Sequence, residues 1–419
     1  MNLLEEVFIK GFWGNHDVNI RLGDSLNFII GPNGSGKSTA LKLVAGVLLA
    51  DKNYLSKTEF SHIRLTLKDP KSRKKPYIEV TRDQDSPFFH CEYKIHESAS
   101  EKPFVYKLSE LDGYESATRN SYFLRVHLAG KESAGKTLIS HLGELTSLTW
   151  LSVQRMTTFE EKSGDPLDIR LEDFSNRLVR HLSALSRKVN QLYEVFQEQV
   201  FLSLLLRDDE RIPAIPTSEQ LKNEHLALDH IFSEFHMDRK SYTKKTQAHF
   251  SMLDRIRRKM EGKEELSNGE IMAIVSLNRI ESTVEMWGEI IEQKKQILSS
   301  KNRFLDLLNN LMQRKIVDIN DRNEITIKTD SGKKLKPHEL SSGEKQILII
   351  LGEALLQEGK QYIYMADEPE ISLHVAWQET LARNIKSLNP AAQIIFATHS
   401  PDIVGPDQNK IIDMERCIK

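Results

Sequence analysis

Gly31-Pro32-Asn33-Gly34-Ser35-Gly36-Lys37-Ser38 lies directly after the apolar run Leu26-Asn27-Phe28-Ile29-Ile30 and directly before the helix-forming run Thr39-Ala40-Leu41-Lys42-Leu43-Val44. The octet fits G-x-x-x-x-G-K-[ST]. In that motif glycines let backbone N–H groups wrap phosphates, the lysine neutralises the outer ones and the final hydroxyl ligates magnesium. A strand, a glycine-rich loop and a helix in this order form one unit of a parallel α/β sheet, so this stretch decides the fold class. Asn33, Gly34, Ser35, Gly36, Lys37, Ser38 and Thr39 are the candidate nucleotide-binding residues, with ATP and Mg2+ as the expected ligands.

A second stretch, Gly130-Lys131-Glu132-Ser133-Ala134-Gly135-Lys136-Thr137, satisfies the same pattern and also follows an apolar run, Phe123 to Leu128. Every further motif of the chain pairs with the first loop, so the second is read as an exposed loop near where a β lobe rejoins the core.

Tyr362-Ile363-Tyr364-Met365-Ala366-Asp367-Glu368 reads as a buried strand ending in two adjacent carboxylates. Asp367 there can support magnesium and Glu368 can position or deprotonate an attacking water. In Leu340-Ser341-Ser342-Gly343-Glu344-Lys345-Gln346, either serine can cap a helix beginning near Glu344, leaving hydroxyl and N–H donors aimed at an anion. Gln393-Ile394-Ile395-Phe396-Ala397-Thr398 is a further buried strand, followed by His399-Ser400. Taken alone, these fragments also read as surface acids, a plain helix cap and a structural histidine. Their order beside a phosphate loop in one chain favours a composite nucleotide site.

From Phe60 to Val126 the chain reads as a small β-rich lobe, with strands at Ile63 to Leu67, Tyr77 to Thr81 and Phe104 to Leu108. From Leu171 the grammar changes: Leu178, Leu182, Leu185, Val189, Leu192 and Phe196 recur in steps of 4 and 3, and Ile290, Ile297, Phe304 and Leu311 repeat every seven. A break at Arg207 to Pro216 separates them. This pattern suits a helical arm inserted into the α/β core, and equally an ordinary helical subdomain. The alternating run Glu324-Ile325-Thr326-Ile327-Lys328 returns the chain to strand and loop.

The 419 residues carry 39% hydrophobic and 28% charged side chains, ordinary for a folded protein, and 58 Lys and Arg against 60 Asp and Glu give a formal charge of -2. No global positive field holds nucleic acid, so local patches would be needed, such as Lys71, Arg73, Lys74 and Lys75 or Arg255, Arg257, Arg258 and Lys259. Cys91 and Cys417 are too few for a disulfide framework or zinc cluster. Met1 to Glu6 has no secretion-signal character, and no apolar run approaches the roughly 20 residues that cross a bilayer. A cytoplasmic location without membrane partners is expected.

Phosphate loop, Leu-Ser-x-Gly-Glu segment, acidic strand and Thr398-His399 together resemble the ABC-type ATPases. Within them the chain is similar to the SMC-like branch, in which a helical arm interrupts the ATPase core. The resemblance implies an α/β P-loop ATPase fold with a β-rich lobe and an inserted, coiled-coil-like helical arm. Residues 1–156 would be the first part of the core with the lobe, 157–323 the helical insertion, and 324–419 the second part of the core. It implies that Gln154, in Leu151-Ser152-Val153-Gln154-Arg155, is the glutamine that senses magnesium and attacking water. Ser341 and Gly343 would reach the γ-phosphate held by an opposite subunit, with Ser342 standing where the family has glycine and Glu344 where it has glutamine. His399 would donate to the γ-phosphate.

Asp367-Glu368-Pro369-Glu370-Ile371-Ser372-Leu373-His374 and Thr398-His399-Ser400-Pro401 are similar to strings in ATPases of the overcoming-lysogenisation-defect type, many of them antiphage components. A Toprim nuclease often follows the ATPase in those proteins. About twenty residues follow His399, so a nuclease is expected in trans. The opening Ile9 to Asp17 and the overall length resemble most the ATPase subunit of the PARIS antiphage system. The resemblance thus implies a homodimer or higher homo-oligomer that senses a phage-derived trigger and controls a separate, nuclease-like effector. A DNA-repair or chromosome-maintenance ATPase that clamps DNA is the alternative, and the motor of a membrane transporter is disfavoured by the helical insert and the Leu-Ser-Ser-Gly-Glu segment.

Overall fold

The computed structural model describes residues 1–70, 72, 74–83, 89–98, 102–109, 137–152, 165–203 and 217–419. Its strands are β1 (Leu3–Phe12), β2 (His16–Arg21), β3 (Leu26–Ile30), β4 (His62–Lys68), β5 (Tyr77–Arg82), β6 (His90–His96), β7 (Phe104–Ser109), β8 (Leu148–Ser152), β9 (Lys315–Ile319), β10 (Ile325–Thr329), β11 (Lys334–Leu335), β12 (Ile363–Asp367), β13 (Gln393–Ala397) and β14 (Ile411–Asp413). The chain divides into two compact units, one built from Met1–Val179 and Ser300–Lys419 and the other from Arg180–Ser299.

In the first unit a five-stranded sheet runs in the order β14-β3-β13-β12-β8, every pair parallel. Each residue of β12 and β13 is buried, as expected of parallel strands covered on both faces. The helix Lys37–Leu49 packs beside β8, β12 and β13, with Ala40, Leu43, Val44, Ala45 and Val47 wholly buried. Carboxyl ends of parallel strands share one rim, so the loops after β3, β12 and β13 converge by topology alone.

A second, antiparallel sheet runs β2-β1-β4-β5-β6-β7. Alternating burial along β4, β5 and β6 buries one face of each strand. This lobe starts well before the Phe60 expected from the sequence, because β1 pairs with β4 on one side and β2 on the other, and it contains β6, which the sequence reading passed over. Cys91 of β6 is buried and its thiol is pushed up to about 12 by that burial; Cys417 is half-buried. A three-stranded sheet, β11-β10-β9, completes this unit. Its strand β9 falls inside the range 157–323 read as helical insertion.

The other unit contains the helices Ser218–Glu234 and Arg239–Glu261 and the inner parts of two long helices, Pro166–Ser203 and Asn268–Leu311. Phe196, Leu221, Leu228, Ile231, Phe250, Leu253, Ile256, Trp287 and Ile290 form its core. Leu178, Leu182, Val189 and Phe196 of the heptad-like series are buried, and Leu185 and Leu192 are half-buried. A capping box between Thr217 and Gln220 starts Ser218–Glu234. The expected break at 207–216 lies outside the described residues. No helix among those described is long and apolar enough to cross a membrane.

Within the first unit, the start of helix Pro166–Ser203 is fastened to the helix Ser342–Leu356. Lys345 Nζ donates to Asp168 Oδ1 at 2.6 Å, and Arg177 forms a buried bidentate pair with Glu353. Between these contacts Phe174, with no exposed surface, lies on Gly352, where an added Cβ would stand 2.1 Å from the ring. Gly352→Ala is expected to lower stability by about 1–3 kcal/mol through overpacking. Gly352→Ala with Phe174→Leu is expected to recover part of that loss; chemical denaturation of both variants checks it, and an unchanged midpoint for Gly352→Ala would mean that the ring moves aside freely.

Candidate functional site

The loop after β3 uses three glycines where the backbone turns through positive φ: Gly31 at 155°, Gly34 at 83° and Gly36 at 89°. Gly36 is the N-cap of helix Lys37–Leu49, and a Cβ there would lie 2.8 Å from the Phe12 ring of β1. A side chain at this position is therefore excluded by both conformation and space. Lys37, the first residue of the helix, is buried and folds back over the loop. Its Nζ donates to the carbonyl oxygens of Gly31 at 2.8 Å and Pro32 at 2.9 Å. Burial lowers the pKa of this ammonium, opposed by the negative charges of Glu368, Asp367 and Glu370.

Ser38 Oγ donates to Asp367 Oδ1 at 2.6 Å, across 329 residues of sequence. Asp367, the last residue of β12, is 3% exposed; burial raises its carboxyl pKa, and the Ser38 hydrogen bond opposes that rise. A serine hydroxyl and a buried carboxylate in contact are hard oxygen donors, a set that fits a small divalent cation such as Mg2+ held together with substrate phosphates. Glu368 follows at φ 49°, an uncommon conformation for a residue with a side chain, and its N–H donates to the Ala397 carbonyl at 2.8 Å. That bond fastens the end of β12 to the end of β13, directly before Thr398 and the exposed His399.

Glu370 was visible in the sequence only as part of a string, yet it gathers the site's loops. Its Oε1 accepts from Thr398 Oγ1 at 2.6 Å, from the His399 N–H at 3.0 Å and from the Ser400 N–H at 3.3 Å. No spacing rule flags such a residue, because its partners lie 28 to 30 positions away along the chain.

Ser341 is the exposed N-cap of helix Ser342–Leu356, in a capping box with Glu344. Its Oγ donates to Glu344 Oε2 at 2.8 Å, and Lys315 Nζ donates to Glu344 Oε1 at 2.5 Å. The acid at 344, where the resemblance expects glutamine, thus closes the cap and pairs with a lysine. Gly343 sits against the loop after β12: a Cβ there would come 2.3 Å from the Ser372 carbonyl oxygen. Three residues on, Gln346 Nε2 donates to the Pro369 carbonyl at 3.0 Å. The helix that presents Ser341 is therefore bolted to the loop that follows Asp367 and Glu368.

Gln154 lies outside the described residues, just beyond β8, which pairs in parallel with β12. Gly130 to Lys136 of the second motif are outside them too. Thr137 is described, and it is the N-cap of helix Leu138–Leu145, its side-chain oxygen accepting from the Ser140 N–H. In the first loop, by contrast, the helix already begins at the lysine.

Residues 3–404 match the family described as the AAA ATPase domain. A stretch of 97 residues is 32% identical to the Retron Vc95 probable ATPase of Vibrio cholerae serotype O1 biovar El Tor, and covers 20% of this chain and 19% of that protein. The match thus spans about a fifth of that relative's length. Among solved structures, the Smc head domain with an extended coiled coil, bound to the C-terminal domain of ScpA from Pyrococcus furiosus, aligns with a TM-score of 0.45 and 15% identity over 96% of this chain and 91% of that one. The Smc head domain with a coiled coil and joint from Pyrococcus yayanosii aligns with a TM-score of 0.42 and 16% identity over 96% and 93%.

Lys37→Ala is expected to abolish ATP binding, while Lys136→Ala leaves it intact, because Ser38 of the first loop meets the buried Asp367 and Lys37 stands in the field of Asp367, Glu368 and Glu370. Titration with a fluorescent ATP analogue measures this, and equal losses in two folded variants would overturn the assignment.

Proposed function

The chain belongs to the AAA ATPase domain family, and from that premise we propose that it is a Mg2+-dependent ATP hydrolase whose two half-sites come together between copies of the chain. The observation that carries the reading is the Ser38–Asp367 hydrogen bond, which brings the phosphate loop and the acidic strand to one point. Ser38 and Asp367 would hold the cation, which when bound neutralises charge on the terminal phosphates. Lys37 exchanges its loop carbonyls for phosphate oxygens, and the N–H groups at the start of helix Lys37–Leu49 face the same anion. Glu368 accepts a proton from, or orients, the attacking water. His399 donates to the γ-phosphate from the end of β13, and Gln154 assists at the cation and water. Ser341 and Gly343 supply the opposite subunit's donors, a role favoured by the exposure of Ser341 at a helix N-terminus.

We infer further that the ATPase is the sensing and regulatory subunit of an antiphage system that controls a separate, nuclease-like effector, as in the PARIS system. The short stretch of identity with the retron ATPase supports the defence reading. A clamp on DNA is the second reading, and one observation favours it. Helix Arg239–Glu261 has eight Lys and Arg against two acids in a chain of net charge -2, and Lys240, Lys244 and Arg255 are exposed at spacings that share one face. Among the described cations singled out in sequence, Lys75 pairs with Glu5, Arg257 and Arg258 with Asp254, and Lys259 with Glu270.

Glu368→Gln is expected to bind ATP normally, hydrolyse it slowly and accumulate ATP-bound dimers, since the amide keeps the shape but loses the negative charge. Turnover at the wild-type rate would assign the role to another group. Purified from its host and analysed by mass spectrometry, the trapped dimer should carry a nuclease-like protein; DNA retained through a high-salt wash would favour the clamp instead.

Ser341→Arg is expected to bind ATP but not hydrolyse it, because the bulky cation fills the space through which one subunit reaches the other's γ-phosphate. Mixed with Lys37→Ala, it should regain partial activity, as one of the two interfaces then combines an intact loop with an intact Ser341. Differential tagging verifies subunit exchange, and full activity of Ser341→Arg as a monomer would sink the composite site.

A further inference from the structure

We propose that Glu370 is a positioning residue that clamps the loop Thr398–Ser400, fixing the backbone from which His399 reaches the γ-phosphate. The inference rests on the ATPase reading of the site and extends it to a residue that makes no phosphate contact of its own.

The clamp is built from one atom. Glu370 Oε1 receives hydrogen bonds from three consecutive residues: the Thr398 hydroxyl at 2.6 Å, the His399 N–H at 3.0 Å and the Ser400 N–H at 3.3 Å. An anionic acceptor makes such bonds shorter and stronger than a neutral one would, and three donors on successive residues fix the direction of the peptide as well as its place. The hold matters because the His399 side chain is exposed and β13 ends at Ala397, so the sheet ladder no longer determines where residue 399 sits. The other carboxylate oxygen, Oε2, is buried with no hydrogen-bond partner among the described residues. The carboxylate is thus oriented toward the loop rather than spread over many contacts.

A second bridge runs in parallel. Gln378 Nε2 donates to the Leu373 carbonyl at 2.9 Å, within the loop after β12, and Gln378 Oε1 accepts from Ser400 Oγ at 2.7 Å. Gln346, on the helix capped by Ser341, holds the carbonyl of Pro369, the residue before Glu370. The segment Asp367 to Leu373 therefore carries the proposed cation-binding acid at one end and is tied along its length to the loop Thr398–Ser400 and to the helix Ser342–Leu356. A shift of Glu370 would move His399 while leaving the hydrogen bonds of Lys37, Ser38 and Asp367 in place, since none of them passes through it and its charge reaches Lys37 and Asp367 only through space.

The test compares kcat, KM and ATP affinity in the wild type, Glu370→Ala, Glu370→Gln, His399→Ala and the double variant Glu370→Ala with His399→Ala. Glu370→Ala is expected to lower kcat by roughly 10- to 100-fold, the scale of a misplaced catalytic group, with ATP affinity within about threefold of wild type because the phosphate loop is untouched. Glu370→Gln, whose amide oxygen can accept the same donors, should recover most of the rate. The double variant should be no slower than His399→Ala alone, since two changes acting through one group do not multiply. Multiplying losses, no recovery by glutamine, or full turnover in either single alanine variant would each overturn the proposal.

Should Glu370→Ala fail to fold, Thr398→Val removes one donor to the same oxygen and carries the same comparison with His399→Ala. Hydrogen exchange keeps the clamp separate from the ATPase reading. If the wild type hydrolyses no ATP, that reading fails, and the clamp stands or falls on whether His399 and Ser400 amides lose protection in Glu370→Ala and keep it in Glu370→Gln.

Discussion

Parallel pairing of β3, β13 and β12 is the constraint on which the rest of the molecule depends. These strands come from opposite ends of the chain, and between β3 and β12 lie β4 to β7 of the antiparallel lobe and the whole helical unit. Phe28 stands opposite Phe396 and Met365 opposite Ile395, the register that puts Ile30, Asp367 and Ala397 at one rim. A slip of one residue would turn every side chain of a strand to its other face and carry Asp367 away from Ser38. Both central strands are wholly buried, so nothing in solvent competes for that register.

Much of this was legible because it is local. A glycine-rich loop between a strand and a helix, two acids ending an apolar run, and a serine three residues before a glutamate each announce their geometry within eight residues. The strand Leu26 to Ile30 stands where the residue pattern put it, and of the two serines that pattern offered as a cap, Ser341 is the one that serves, with the helix starting at Ser342. What was illegible is long-range. Strand β1 joins the lobe through pairing with β4, some fifty residues on, and brings β2 with it, while β6 has the polar alternation His90-Cys91-Glu92-Tyr93-Lys94-Ile95 that propensity alone leaves undecided. Glu370 escaped for the same reason: a carboxylate two residues after a pair of acids looks like more of the same until the loop it holds is folded beside it.

Departures from the family pattern around the capped helix also have physical content. Glutamate at 344 gives a charge-assisted closure of the cap at Ser341 and a partner for Lys315, which a glutamine would hold only weakly. Gly343 allows the backbone approach to Ser372, itself at φ 67°, so helix and loop touch main chain to main chain. Contacts of that kind leave little slack: displacement at one end of Ser342–Leu356 is felt at the loop after β12 and, through Phe174 and Arg177, at the start of the long helix Pro166–Ser203.

The folded-back lysine has a consequence for how the site meets its first ligand. With its ammonium seated on the carbonyls of Gly31 and Pro32, the loop is cross-braced by its own cation. Under the proposed function, entry of an anion would be a swap of oxygens around one nitrogen rather than the capture of a free charge from water. Much of the lysine's desolvation and ordering precedes the encounter.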